Sequence, residues 1–183
     1  MEKMKLAFKM CIFGDSGVGK STLINRYITA KFDHDQKSTL GAAILMKFIE
    51  TETMRITLQI WDFAGEEKFS LLLPSYAKGS SAAIFMCDIS KRDSITNIDK
   101  WFLKFNEGSN IRNTKFPVLI VGGKLDLEEQ RSLSKKDIEI FLTVIEEFDY
   151  LECSSKTGEN VDLLFQIIVD KMLIYADIHP PTS

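Results

Sequence analysis

The chain has 183 residues, enough for one α/β domain with a full core and no second domain. Lys and Arg number 23 against 26 Asp and Glu, a net charge of −3, which argues against nucleic-acid binding because that needs a clustered basic surface. No apolar run approaches the roughly 20 residues of a membrane span. Three cysteines without C-x-x-C spacing suggest buried reduced thiols in a cytoplasmic protein rather than disulfides or a zinc site.

In chain order, a strand-length apolar run at 6–13 leads into Gly14-Asp15-Ser16-Gly17-Val18-Gly19-Lys20-Ser21. That segment fits G-x-x-x-x-G-K-[ST] at every fixed position. Glycines let the backbone turn tightly, so that successive N–H groups face a polyphosphate. Lys20 adds a mobile charge for the β- and γ-phosphates, and the Ser21 hydroxyl suits Mg²⁺. From Ser21 to Tyr27 the residues favour helix, without Gly or Pro. Strand, glycine loop and helix N-terminus together bind anions, so the chain is expected to bind a nucleotide triphosphate.

Strand-like runs follow at 43–50 and 54–61, separated by Thr51-Glu52-Thr53, short enough for a hairpin. Further strands are expected at 82–88, 117–122 and 149–153. Helical spacing marks Ile98, Trp101, Phe102 and Phe105; then Ile138, Phe141, Leu142 and Ile145; then Val161, Leu164, Phe165 and Ile168, continued by Met172. Ser134 with Asp137 three residues on is a loose relative of the capping box. This alternation predicts an α/β fold, a doubly wound, mainly parallel sheet with helices on both faces, binding ligand at the carboxyl ends of its strands. Trp61 and Trp101 read as packing residues, and His34 and His179 as solvated, lacking partners at metal spacing. Leu71-Leu72-Leu73-Pro74 is too apolar for a free loop; it either faces the core or forms a partner patch.

Four more constellations follow the glycine loop: Ser38-Thr39-Leu40-Gly41, Trp61-Asp62-Phe63-Ala64-Gly65-Glu66-Glu67, Gly123-Lys124-Leu125-Asp126 and Cys153-Ser154-Ser155-Lys156. With G-D-S-G-V-G-K-S, S-T-x-G and W-D-x-A-G-x-E, and with imperfect N-K-x-D and S-A-K, the chain resembles the Ras superfamily of small GTPases, most of all Rab-type members, over about 6–177. Tyr76-Ala77-Lys78-Gly79, Asp93-Ser94, Asn97 and Trp101 add to the likeness. The resemblance implies a six-stranded P-loop G domain over 1–178, the second strand antiparallel, with five helices and a short tail at 179–183.

It also implies GTP or GDP with Mg²⁺ as cofactors. Gly14 to Thr22, including Asp15, Ser16, Gly17, Val18, Gly19, Lys20 and Ser21, would hold the phosphates. Ser21 and Thr39 would contact Mg²⁺, and Asp62 would hold that ion through water. Gly65 would donate its N–H to the γ-phosphate, and Phe32 would lie against the base. Asp126 would accept from guanine N1–H and the 2-amino group, a donor pair adenine lacks, which is worth about 10⁴-fold in discrimination. The Lys124 stem would cover a base face and the Ser155 N–H would meet O6, with Ser154 and Lys156 completing that loop. The catalytic set would be Lys20, Gly65 and Glu66.

Two departures bear on rate. Glu66 stands where the family has glutamine, and a carboxylate only accepts hydrogen bonds while its charge opposes the γ-phosphate; slow hydrolysis is expected. Gly123 stands where the family has asparagine, and losing those hydrogen bonds weakens nucleotide binding by roughly 1–3 kcal/mol; fast exchange is expected. The reading is a GTP-hydrolysing switch that meets an exchange factor, an activating protein and effectors, as a monomer. Alternatives are a GTP-loaded scaffold with negligible turnover and a P-loop kinase. Glu2 excludes the myristoylation pattern, and without a cysteine at 178–183 no prenyl anchor is expected, so membranes would be reached only through a partner or through a segment absent from this sequence.

Overall fold

The computed structural model describes residues 2–33, 38–109, 117–142 and 148–178. His34, Ile145, His179 and the expected tail lie outside these residues. β1 (Met4–Phe13) is central, parallel to β3 (Met54–Phe63) on one side and to β4 (Ala82–Asp88) on the other. β2 (Ala42–Glu50) runs antiparallel to β3, with Leu45 opposite Ile60. β5 (Val118–Gly123) and β6 (Asp149–Glu152) extend the parallel part, and the order is β2-β3-β1-β4-β5-β6. The antiparallel second strand is therefore as expected.

Alternation along β1 divides the core in two, since successive side chains of a strand face opposite ways. Met10 and Ile12 face α1 (Lys20–Thr29) and α5 (Val161–Tyr175), packing with Leu23, Phe165 and Ile168. Cys11 and Phe13 face α2 (Leu73–Ala77), α3 (Ile98–Ser109) and α4 (Lys135–Leu142), among Phe85, Phe105 and Ile138. β4 and β5 are buried along their whole length, as strands covered on both faces must be, and they read as continuous apolar runs. Six strands and five α-helices are present among the described residues, as expected. Cys11, Cys87 and Cys153 are buried free thiols, and burial pushes the last two up to about 12.

Several local details differ from or sharpen the expectation. β3 runs two residues past Trp61, because β2 continues to pair with it at Asp62 and Phe63. The leucine run splits: a 3-10 turn over Glu67–Leu72 leaves Leu71 73% exposed, whereas Leu73 at the start of α2 is fully buried. At α4, Ser134 N–H donates to Asp137 while the Asp137 N–H donates to Ser134 Oγ, a reciprocal cap. α2 also lies very close to α3. A Cβ built on Gly108 would stand 1.8 Å from the Pro74 carbonyl oxygen, so this helix crossing requires glycine.

Candidate functional site

The glycine loop joins the carboxyl end of β1 to α1, with Gly14, Gly17 and Gly19 at φ of +136°, +77° and +103°. At Gly14 the need is also spatial, since a Cβ would meet the Met86 carbonyl oxygen at 2.2 Å. Lys20 Nζ reaches back over the loop and donates to the carbonyls of Gly14 and Asp15, both at 2.8 Å. Burial lowers Lys20 to about 8, against the pull of the Asp62 and Asp15 carboxylates. The first turn of α1 contains no acidic residue, so its positive end is uncompensated.

Asp15 turns its carboxylate out of the loop. One oxygen accepts from Asn97 Nδ2 at 3.0 Å and the other from Trp101 Nε1 at 2.8 Å. The charge next to the phosphate cradle is thereby directed onto α3. Trp101 packs beside Phe13, as its spacing suggested, but its indole N–H also ties the glycine loop to α3. Trp61 is purely packed: it lies beside Tyr76 and under the Lys9 ammonium at 4.1 Å, and its buried Nε1 has no hydrogen-bond partner.

Ser21, Thr39 and Asp62 come from α1, from the segment before β2 and from β3, and they converge. Ser21 Oγ donates to Asp62 Oδ2 at 2.5 Å, Thr39 Oγ1 donates to the same oxygen at 3.0 Å, and the two hydroxyls are 2.8 Å apart. Asp62 is buried and its Oδ1 has no hydrogen-bond partner. Burial raises this carboxyl above its ordinary range, opposed by Ser21, Thr39 and Lys20. Two hydroxyls and an under-satisfied carboxylate are hard oxygen donors, a set that fits Mg²⁺. No cluster of three His, Cys, Asp or Glu suited to a softer metal occurs among the described residues.

Gly65 brings the loop after β3 against the glycine loop. A Cβ there would lie 2.3 Å from Asp15 C and Ser16 N, so any side chain would part the two loops. Next to it, Glu66 is paired with Lys68 at 2.6 Å. Glu67 is the exposed start of the 3-10 turn.

On the other side of the glycine loop a cleft of about 140 Å³ is lined by Val18, Gly19, Thr22 and Phe32, and by Lys124, Asp126, Ser155 and Lys156 from the carboxyl ends of β5 and β6; Met86 of β4 is the remaining wall. Ser154 Oγ donates to Asp126 Oδ1 at 2.6 Å, and Lys156 Nζ stands 3.9 Å from Oδ2. Lys124, at φ +64°, stretches past the cleft to the buried Asp88 at 2.7 Å, which fixes its stem. Gly123 ends β5 opposite Asp88.

A family model described as "Ras family" matches residues 9–174. The chain belongs to the Ras family. It is 35% identical over 167 residues to the Ras-related protein Rab-7a of Dictyostelium discoideum, covering 91% of this chain and 82% of that one. It is 34% identical to the Ypt/Rab-type GTPase avaA of Emericella nidulans, over 93% and 84% of the two chains. A Ypt/Rab-type GTPase of Schizosaccharomyces pombe, ypt7, is also 34% identical, over 91% and 82%.

This small GTPase is accordingly a switch-like GTP-binding protein, and guanine nucleotide with Mg²⁺ is what its family binds in general. The expected site residues are brought into two adjoining groups, hydroxyls and Asp62 around the glycine loop, and Asp126 with its neighbours beside it. Three participants were not expected: Asn97 and Trp101, which anchor Asp15, and Met86, which walls the cleft. A clue existed for Trp101, since a buried indole N–H needs an acceptor. For Met86 the continuous apolar run of β4 offers none.

Proposed function

We propose that the chain is one G domain over 1–178 that binds GTP and GDP with Mg²⁺ and hydrolyses GTP slowly. The observation that carries this reading is Asp126. Ser154 and Lys156 hold its carboxylate at the rim of the cleft, ready to accept from guanine N1–H and the 2-amino group. The Ser155 N–H meets O6, the fixed stem of Lys124 and Phe32 flank the base, and the phosphates lie on the amides of residues 14–22 with Lys20 above them. Ser21 and Thr39 would hold Mg²⁺, with Asp62 behind them, and the ion would supply positive charge to offset that of the phosphates.

Water attacks the γ-phosphorus in line, the bond to the β-bridging oxygen breaks, and GDP and phosphate leave. Lys20 and the Gly65 N–H stabilise charge on the γ-oxygens. Glu66 accepts from the water but repels the phosphate, and its pairing with Lys68 competes for the carboxylate; the rate is therefore low. The loops carrying Thr39 and Gly65 order with triphosphate and relax after hydrolysis. The relatives' printed description as GTPases favours turnover over a GTP-loaded scaffold.

Exposed Leu40, Ile44, Leu71 and Leu72 near these loops suit an exchange factor, an activating protein or effectors. The protein acts as a monomer, and no helix among the described residues is long and apolar enough to cross a membrane. Mass identification of the nucleotide carried by the purified protein, with Mg²⁺ calorimetry, tests the reading. GDP or GTP is expected, with ATP weaker by about 10⁴-fold; equal binding of adenosine nucleotides would refute it.

A further inference from the structure

The cleft that carries Asp126 has two chemically different parts. Asp126, Lys156 and the Ser154–Ser155 turn supply one acceptor and several donors. The other part is Met86, buried, which enters from β4 between the glycine loop and β5. Its terminal methyl stands 3.5 Å from the place a Cβ would take on Gly19 and only 2.3 Å from the place one would take on Gly123. The methyl therefore lies over the bare α-carbon of Gly123, and no side chain fits at 123 while Met86 occupies that space. The pair is matched in size. A methyl and a thioether donate no hydrogen bond.

Guanine presents its polar groups in a fixed order around the ring. With N1–H and the 2-amino group on Asp126 and O6 on the Ser155 N–H, the path from O6 to the ribose passes N7 and C8. The ribose leads to the glycine loop, so this edge runs along the stretch from Ser155 to Gly19, where Met86 stands. Of the other side-chain donors in the lining, Lys156 is drawn to Asp126, Lys124 is held by Asp88, and Thr22 belongs to the first turn of α1.

We propose that Met86, packed over Gly123, is a specificity-determining residue that leaves N7 of a bound guanine unread, so that the cleft accepts guanine nucleotides carrying carbon at position 7. The proposal rests on the guanine-nucleotide reading above. An acceptor pressed against an apolar wall loses its water without gaining a donor, whereas a C–H in the same place loses nothing.

The test is displacement of fluorescently labelled GDP from the Mg²⁺-loaded protein by GDP and by 7-deaza-GDP. The 7-deaza compound is expected to compete at least as well as GDP; a preference for GDP of more than about threefold overturns the proposal. In the double variant Met86→Ala/Gly123→Asn an amide has room beside the ring, and the preference is expected to move towards GDP by about tenfold, the size of one neutral hydrogen bond. No movement in the folded double variant also overturns it. Failure of GDP itself to bind refutes the guanine reading, a result distinct from binding with the wrong preference.

Discussion

Replacing Gly108 by alanine sets two well-measured effects against each other. Gly108 is the next-to-last residue of α3, and by helix propensity alone alanine there would stabilise the protein by about 1 kcal/mol. The new Cβ, however, would stand 1.8 Å from the Pro74 oxygen and 2.5 Å from its carbonyl carbon, where ordinary contact begins near 3.4 Å. α2 and α3 would have to separate by more than an ångström, loosening Leu73 and Ala77 in the core. Overpacking of this kind costs about 1–3 kcal/mol and sometimes more, so a net loss of about 2 kcal/mol is expected at the upper end of that range. For a chain of this length that lowers Tm by about 4–8 °C. Thermal and urea unfolding at fixed, saturating nucleotide would measure it, because bound ligand shifts apparent stability. The obstacle is the backbone of residue 74 and not its ring, so adding Pro74→Ala is expected not to restore stability. An alanine variant as stable as the parent would refute the helix-crossing argument.

Three other outcomes are expected. Glu66→Gln should raise the single-turnover rate of GTP cleavage by about tenfold, the scale of a barrier change near 1.4 kcal/mol; a rate no higher than the parent's would remove the charge argument. Trp101→Phe keeps the packing but deletes the donor to Asp15, and a hydrogen bond to a charged group is worth about 1.5–3 kcal/mol; faster release of labelled GDP together with a lower Tm is expected. The third concerns acid. Hydrogen bonds from Ser134 and Arg92 hold Asp137 down at about 2, below its ordinary 3.8. Its folded pKa is depressed, so its contribution is full above about pH 4 and is lost as pH falls through 2. Asp137→Asn should therefore be less stable than the parent at pH 7, and the difference should vanish near pH 2.

What could be read from the sequence is what local spacing encodes. The strand-length apolar run of β1 and the unbroken apolar runs of β4 and β5 mark strands wherever they end up in the sheet. The glycine loop is legible because each fixed position answers a local demand of backbone or charge. The leucine run was ambiguous for a physical reason: a 3-10 turn rotates neighbours by a different angle from an α-helix, and Leu71 and Leu73 part company only once α2 begins at Leu73. The extra length of β3 depends on pairing with β2, not on its own residues. The anchoring of Asp15 by residues 82 and 86 positions away, and the fit of Met86 to Gly123, arise from tertiary contact and leave no periodic trace.

Both tryptophans of this chain, Trp61 and Trp101, stand within one residue of, or bonded to, the groups that would meet nucleotide. Their surroundings are electrically opposite: an ammonium above the ring of Trp61, a carboxylate against the N–H of Trp101. The two indoles therefore sit in different local fields. The unlabelled molecule thus carries its own optical reporter, one indole following the phosphate cradle and the other the strand end next to Asp62.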